Sequence, residues 1–221
     1  MIYVKTIRLI KRVYYAIKYS NVNILFDESI IMKNVIDGLK EILGRKRREI
    51  TYLETGCIRS FFEFHWSTFH VANFIGERGI LISIDNNIKS INIAKKVCSQ
   101  FNNITFELSD SVKFIKKNKL KVDFALLDSA NDKDLIFNEF IAVMNHMDDN
   151  GIIIIDDSGI NKVTNNIDSS VTSEKGHRVW EFIESNNIDY DLLLTPLGHG
   201  TQLCVKMETN KDKILSVLRK I

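Results

Sequence analysis

Residues 122–157 read VDFALLDSANDKDLIFNEFIAVMNHMDDNGIIIIDD, and this stretch decides the fold. It begins with the apolar run Val122–Leu127 and ends with four consecutive isoleucines at Ile152–Ile155. Between them, Lys133–His146 has apolar residues at helical spacing. Short apolar runs are typical of strands that are buried on both faces of a sheet. The stretch therefore predicts two parallel strands joined by a helix in a right-handed crossover.

The same alternation of strands and helices extends outward in both directions. Further strands are predicted at Ile50–Leu53, Ile80–Ile84, Ile104–Glu107, Tyr190–Leu194 and Leu203–Met207. Further helices are predicted at Ser67–Ile75, Asn87–Gln100, Ser111–Asn118, Glu174–Ser185 and Lys211–Ile221. The last two strands have only a glycine-containing loop between them, so we expect them to pair antiparallel. The sequence thus predicts an α/β protein with a doubly wound, seven-stranded, mostly parallel Rossmann-like sheet, an antiparallel last strand and N-terminal helices.

The N-terminal part of the chain is predicted to be helical, with helices at Val4–Tyr19 and Glu28–Leu43. We therefore divide the chain into an N-terminal helical extension, residues 1–48, and an α/β domain, residues 49–221. The first helix has lysine and arginine between regularly spaced apolar residues. Such a helix packs on its own domain, pairs with a second copy in a homodimer, or lies on an anionic membrane surface. The sequence leaves these partners open.

Size and composition narrow the class of protein. A chain of 221 residues suits one α/β core, and a net charge of +2 argues against nucleic acid as the main partner. No apolar run reaches the length of about 18 residues that a transmembrane helix needs. The three cysteines form no C-x-x-C pair, which argues against a disulfide framework or a zinc site and favours a cytoplasmic location.

Carboxylates and small polar residues follow the predicted strands. In an open α/β sheet, ligands bind beyond the carboxyl ends of the strands. Aspartate is also a common helix N-cap, but capping does not readily explain a carboxylate at the end of five strands. The residues concerned are Glu54 and Gly56; Asp85 and Asn86; Ser109, Asp110 and Ser111; Asp128; and Asp156 and Asp157. The sequence therefore predicts a functional cleft at this edge.

Two of these residues indicate the kind of ligand. Asp85 ends the second predicted strand, where an acidic residue can accept hydrogen bonds from both ribose hydroxyls of an adenosine. Gly56 allows the backbone to approach a ligand closely. The loop lacks the G-x-G-x-x-G pattern that holds a pyrophosphate, which argues against NAD and FAD. A nucleoside ligand without phosphates is predicted.

Several motifs resemble those of a known family. Leu53-Glu54-Thr55-Gly56 with Arg59, followed by Trp66-Ser67-Thr68, resembles the first motif of class I S-adenosylmethionine-dependent methyltransferases. Ile84-Asp85 is similar to the second motif, and residues 122–129 and 150–157 are similar to the fourth- and fifth-strand motifs. The nearest branch is that of small bacterial O-methyltransferases of the macrocin and catechol types. The resemblance implies that S-adenosylmethionine is bound by Glu54, Gly56, Ser67, Asp85, Asn86, Ser109, Asp110, Ser111 and Asp128.

The resemblance also implies a metal and a catalytic base. In metal-dependent members, carboxylates equivalent to Asp128, Asp156 and Asp157 hold Mg²⁺, which binds acceptor oxygens and lowers the pKa of a hydroxyl. The alternative is that Asp128 and Asp156 cap helices and contact only the cofactor. Candidate catalytic residues are Asp128, Asp157 and His177. His177 follows a polar stretch, residues 161–173, that is predicted to be a lid over the acceptor.

The predicted function is O-methylation of a hydroxylated small molecule, such as a sugar or a secondary metabolite, by S-adenosylmethionine, with possible assistance by Mg²⁺. Three alternatives stay open. One is a methyltransferase that acts on nucleic acid or protein, and another is a nucleotide-sugar or NAD enzyme built on the same sheet. The third is a non-catalytic relative that binds the cofactor.

Overall fold

The computed structural model of the protein describes residues 32–46, 48–60, 66–168, 172–195 and 200–220. The predicted first helix, Val4–Tyr19, lies outside the described residues, as does the start of the second. The predicted homodimer and membrane contacts of the first helix are therefore left as predictions.

Seven helices and nine strands occur in the described residues. The helices are α1 (Lys33–Arg45), α2 (Ser67–Ile75), α3 (Ile88–Val97), α4 (Ser111–Lys117), α5 (Lys133–Met144), α6 (His177–Ser185) and α7 (Met207–Leu218). The strands are β1 (Ile50–Thr55), β2 (Gly79–Asp85), β3 (Ile104–Leu108), β4 (Val122–Leu127), β5 (Met147–Ile155), β6 (Ile160–Asn161), β7 (Asn166–Ile167), β8 (Asp191–Leu194) and β9 (Thr201–Lys206).

Seven of these strands form one sheet in the order β3-β2-β1-β4-β5-β9-β8. Strands β1 to β5 pair parallel to one another, and β9 is antiparallel to both of its neighbours, β5 and β8. The predicted seven-stranded sheet with an antiparallel hairpin at its end is confirmed. From β1 the strands follow one another outward in opposite directions, β2 and β3 on one side and β4 and β5 on the other, so a ligand-binding crevice is expected at the carboxyl ends of β1 and β4.

Alternate residues of the central strands pack against helices on opposite faces, which makes the sheet doubly wound. On one face, Phe124, Ile152 and Ile154 share a core with residues of α1 and α2. On the other face, Ile153 and Ile155 share a core with residues of α4 to α7. Helix α1 belongs to the first of these cores, and the predicted boundary at residue 48 falls in the connection between α1 and β1.

The structure differs from the predicted elements at several limits; helix α7, for example, begins at Met207 rather than Lys211. Strand β5 begins at Met147 rather than Ile152, beside an irregularity in its pairing with β4. The polar stretch predicted as a lid contains β6 and β7, which form a two-stranded antiparallel ribbon. Strands of two residues are too short to produce a periodic pattern in a sequence. Among the described residues, no helix is long and apolar enough to cross a membrane.

Candidate functional site

A cavity of about 210 Å³ lies beyond the carboxyl ends of β1, β2, β3 and β4. Its lining residues are Gly56, Arg59, Ile84, Asp85, Asn86, Asn87, Ser90, Ser109, Asp110, Ser111, Ser129, Ala130 and Leu135. Six residues predicted to bind the cofactor therefore meet around one space: Gly56, Asp85, Asn86, Ser109, Asp110 and Ser111. We call this space the first cavity.

Asp85 is held in place at the end of β2 by two backbone donors. Its Oδ1 atom accepts a hydrogen bond of 2.7 Å from the N–H of Asn87, and its Oδ2 atom accepts one of 3.2 Å from the N–H of Cys57. The Cys57 thiol donates a further, weak hydrogen bond of 3.5 Å to Oδ2, so a ligand hydroxyl would bind at Oδ1 or take the place of this thiol. The carboxylate is thus fixed in direction while it remains able to bind a diol.

Gly56 brings the loop after β1 against the loop after β4. Its φ angle is +83°, a left-handed conformation that glycine adopts without strain. A Cβ atom at this position would lie 2.4 Å from the carbonyl oxygen of Asp128. Only glycine therefore allows the two loops to approach this closely beside the first cavity.

Arg59 connects the same two loops and lines the first cavity. Its Nη2 atom donates hydrogen bonds to the carbonyl oxygens of Asp128, at 3.2 Å, and Ser129, at 2.9 Å. It places a guanidinium, a strong partner for carboxylates, in the wall of a cavity that also contains Asp85 and Asp110. Arg59 belongs to the first motif of the sequence, but it was not among the residues predicted to bind the cofactor.

Glu54 and Ser67 were predicted to contact the cofactor, but neither is a lining residue of the first cavity. Glu54 is fully buried and accepts hydrogen bonds from the hydroxyls of Thr68, of Ser83 at 2.7 Å and of Ser67 at 3.2 Å. Strand β1 continues through Thr55, so Glu54 lies within the strand and its side chain points to α2. Glu54 and Ser67 therefore connect β1 to α2.

Glu139 of α5 supports the opposite side of the same edge. It is fully buried and accepts hydrogen bonds from the Ser111 hydroxyl and, at 2.8 Å, from the Thr55 hydroxyl. Burial raises the pKa of Glu139, although both hydroxyl donors act in the opposite direction. Glu139 joins the end of β1 to Ser111, which lines the first cavity.

Burial raises the pKa of Glu54 to about 7, and the hydrogen bonds from Thr68, Ser83 and Ser67 reduce this effect only in part. Since the folded-state pKa lies above the ordinary value of 4.5, the folded protein binds the proton more tightly than the unfolded chain. Glu54 therefore stabilises the fold most when protonated. We expect this contribution, about 3 kcal/mol, to be lost as the pH rises from about 4.5 to about 7.

The substitution Glu54→Gln should remove this pH dependence, because a glutamine is neutral throughout the range. Denaturant unfolding at pH 5 and pH 8 should show a smaller difference in the free energy of unfolding for Glu54→Gln than for the unmodified protein. The exposed Glu77→Gln serves as a control and should leave the difference unchanged. An unaltered difference in Glu54→Gln would show that this buried carboxyl does not titrate in the range.

A second cavity, of about 390 Å³, lies between the loop after β5 and the β6–β7 ribbon. Its lining has six polar and three apolar side chains. Its lining residues are Asp157, Gly159, Ile160, Asn161, Lys162, Val163, Asp168, Ser173, Leu194, Gly200 and Thr201. Asp157, a predicted catalytic residue, belongs to this cavity. The predicted lid stretch thus forms much of its wall.

Lys175 lies among the predicted metal ligands. Its side chain is only 8% exposed, and its ammonium group forms an ion pair with the Asp128 carboxylate. The distance from Lys175 Nζ to Asp157 Oδ2 is 3.8 Å. Asp156 accepts a hydrogen bond of 2.7 Å from Gln202 Nε2. Sequence analysis did not select Lys175, because Glu174-Lys175-Gly176 has the polar composition of a surface turn.

The residues present do not fit the predicted magnesium ion at Asp128, Asp156 and Asp157. A magnesium ion requires free oxygen ligands in octahedral arrangement. Here an ammonium group already contacts Asp128, and Asp156 is engaged by an amide. Within the described ranges, no three histidine, cysteine or carboxylate side chains are grouped as a metal site requires.

The charges of Lys175 and of its three aspartate neighbours, Asp128, Asp156 and Asp157, act on one another. Burial and the neighbouring Asp156 charge raise the pKa of Asp128 to about 7, while Lys175 and Arg59 act in the opposite direction. Burial lowers the pKa of Lys175, but the charges of Asp128, Asp156 and Asp157 outweigh it and hold the pKa above its ordinary value. Lys175 is therefore a cation at neutral pH.

His177, a predicted catalytic residue, is placed away from this group. Its Nε2 atom lies 3.2 Å from the carbonyl oxygen of Gly159, at the first turn of α6. It is not among the residues that line the first or the second cavity. The structure thus gives His177 a contact with the backbone of the loop after β5.

Comparison with solved structures finds the same fold in proteins of low sequence identity. An O-methyltransferase from Bacillus cereus, in complex with SAH, matches with a TM-score of 0.59 and 17% identity over 89% of this chain and 90% of that chain. The O-methyltransferase TomG from Streptomyces achromogenes, in complex with SAM, matches with a TM-score of 0.55 and 14% identity over 82% and 89%. An rRNA-methylase candidate from Clostridium thermocellum matches with a TM-score of 0.54 and 15% identity, over 80% of this chain and 96% of that chain.

No protein-family model matches the chain, and no curated protein matches it. At these identities the structural likeness establishes the fold, which is the one shared by class I S-adenosylmethionine-dependent methyltransferases. The predicted fold class is confirmed.

Proposed function

We propose that this protein is an S-adenosylmethionine-dependent methyltransferase that methylates a hydroxyl group of a small molecule. The observation that carries the proposal is the first cavity, where Asp85 is fixed at the end of β2 and Gly56 brings two loops together beside it. This arrangement suits a nucleoside, and the absence of the G-x-G-x-x-G pattern from the sequence argues against a bound pyrophosphate.

The lining of the first cavity fits the parts of the cofactor. Asp85 would accept hydrogen bonds from the ribose hydroxyls, and the loop of Ser109, Asp110 and Ser111 offers polar partners for the adenine. The guanidinium of Arg59 would bind the carboxylate of the methionine part. When bound, the cofactor supplies a methyl group on a positively charged sulfur.

The second cavity is our candidate for the acceptor site. Asp157 faces it and lies close to Lys175, which in turn contacts Asp128 beside the first cavity. Asp157 would orient the acceptor hydroxyl and take its proton. The mixed polar and apolar lining suits a compact hydroxylated molecule better than a nucleic acid strand, which would require a basic groove.

A labelling assay tests this function. The protein is incubated with S-adenosylmethionine that carries a labelled methyl group, together with separate pools of phenols, sugars, total RNA and a protein extract. We expect label in a phenol or a sugar and formation of S-adenosylhomocysteine. Label in RNA or protein instead would favour the alternative methyltransferases, and no label in any pool would favour a non-catalytic relative.

A further inference from the structure

The loop before α6 places Lys175 at the edge of the sheet through several contacts. Asn131, after β4, accepts a hydrogen bond of 2.9 Å from the N–H of Glu174 and donates one of 2.9 Å to the carbonyl oxygen of Thr172. The N–H of Gly176 donates a hydrogen bond of 3.0 Å to the carbonyl oxygen of Ser158. The backbone on both sides of Lys175 is thus fixed to the loops after β4 and β5.

The close approach of this loop to Ser158, after β5, depends on Gly176. A Cβ atom on Gly176 would lie 2.7 Å from the Cβ and from the carbonyl oxygen of Ser158. The loop can therefore lie flat against the end of β5 only with glycine at this position. A lysine on a surface turn needs no such arrangement, so the loop is built to bring the ammonium group inward.

Lys175 is not itself a lining residue of either cavity, but its two carboxylate partners connect it to both. Its partner Asp128 directly precedes Ser129 and Ala130, which line the first cavity. Its other neighbour, Asp157, lines the second cavity. A group in contact with both carboxylates is therefore between the proposed cofactor site and the proposed acceptor site, which is where a methyl group would pass from one to the other.

We propose that the Lys175 ammonium group takes the place of a divalent metal ion at this junction and holds the acceptor oxygen during methyl transfer. The proposal rests on the proposed function. It extends that function to the class of acceptor, because an ammonium group can hold a single oxygen, whereas Mg²⁺ selects acceptors with two adjacent oxygens. The acceptor class that follows is a molecule with one reactive hydroxyl, such as a simple phenol or alcohol, rather than only a vicinal diol.

The reaction balances without a metal. The acceptor oxygen forms a bond to the methyl carbon, the bond between that carbon and sulfur breaks, and sulfur keeps the electron pair as a neutral thioether. The hydroxyl proton passes to the Asp157 carboxylate. Lys175 retains its protons and stabilises the negative charge that develops on the oxygen.

Metal binding tests this proposal without an acceptor. Mn²⁺ is titrated into the unmodified protein, Lys175→Gln, Lys175→Arg and the exposed control Lys133→Gln, and bound Mn²⁺ is measured by electron paramagnetic resonance. We expect no saturable binding at millimolar Mn²⁺ to the unmodified protein, Lys175→Arg or Lys133→Gln. Lys175→Gln should bind Mn²⁺ at least about tenfold more tightly, since it leaves the carboxylates without a cation.

Mn²⁺ binding to the unmodified protein that is lost in Asp128→Asn would overturn the proposal. Equal Mn²⁺ affinity of Lys175→Gln and the unmodified protein would also overturn it. If Lys175→Gln fails to fold in a thermal melt, the titrations of the unmodified protein and of Lys175→Arg decide. Calorimetry with S-adenosylhomocysteine runs in parallel, so that failure of the proposed function appears as absent binding whatever the Mn²⁺ result.

The catalytic part is measured with the acceptor that the labelling assay identifies. We expect excess EDTA to leave the rate of the unmodified protein unchanged. Lys175→Gln should lower kcat about 100-fold or more, the usual effect of removing a group that stabilises a developing oxyanion. Its affinity for S-adenosylhomocysteine should be unchanged, and Lys175→Arg should restore part of kcat. A rate abolished by EDTA, or an unchanged kcat in Lys175→Gln, would contradict the proposal.

Discussion

Replacement of Gly56 by alanine is expected to abolish binding of S-adenosylhomocysteine and to destabilise the fold. The added Cβ would meet the Asp128 carbonyl oxygen at 2.4 Å, and the φ angle of +83° would be strained for alanine. The two effects together should lower the free energy of unfolding by about 2–4 kcal/mol. Relief of the clash would move apart the loops after β1 and β4, which line the first cavity. Calorimetry and denaturant unfolding measure the two results.

Two other glycines provide matched controls for Gly56→Ala. Gly76 has a φ angle of +53° and no atom within 4 Å of an added Cβ, so Gly76→Ala carries only the conformational cost, about 1–2 kcal/mol. Gly44 has neither feature, and Gly44→Ala should cost nothing. Both controls should bind the ligand normally. Normal ligand binding by a folded Gly56→Ala would mean that the loops do not form the proposed site.

The substitution Asp85→Ala is expected to weaken S-adenosylhomocysteine binding by about 30-fold to 1000-fold. The carboxylate is fixed by the N–H groups of Asn87 and Cys57, so it would meet the ribose hydroxyls without reorganising. Two charge-assisted hydrogen bonds are worth about 2–4 kcal/mol, which gives this range of affinity. Calorimetric titration at one ionic strength measures the change.

Asp132→Ala is the control for Asp85→Ala. Asp132 also accepts backbone hydrogen bonds, from the N–H groups of Asp134 and Leu135, at the same edge of the sheet. It does not belong to the lining of the first cavity. Its loss should cost about 1 kcal/mol of stability through the helix cap and leave ligand affinity unchanged. If the two variants lose affinity equally, the effect of Asp85→Ala comes from the fold and not from a ligand contact.

The sheet could be predicted from the sequence because its strands are short apolar runs at regular intervals. Helix α2 was predicted with its observed limits, Ser67–Ile75, since an apolar pattern begins and ends there. The β6–β7 ribbon could not be predicted, because its conformation depends on contacts with the loop after β5. One such contact is the hydrogen bond of 2.9 Å from the Asp168 N–H to the Gly159 carbonyl oxygen.

The site was predictable where a side chain ends a strand or lies just beyond its end, and less so elsewhere. Asp85 and Asp110 lie in the first cavity because the ends of parallel strands meet at one edge. Glu54 was misplaced because β1 is longer than its apolar run, which turns the side chain to the interior. Lys175 was missed because its burial depends on Asn131 and Ser158, which are distant in sequence.

The most direct test of the account is a calorimetric titration of the unmodified protein with S-adenosylmethionine, S-adenosylhomocysteine and NAD⁺ under one set of conditions. The geometry around Asp85 and Gly56 predicts one molecule of S-adenosylmethionine or S-adenosylhomocysteine per chain, each displacing the other, and no binding of NAD⁺. Binding of NAD⁺ in preference to both, or no binding of either adenosyl compound to the folded protein, would contradict the account.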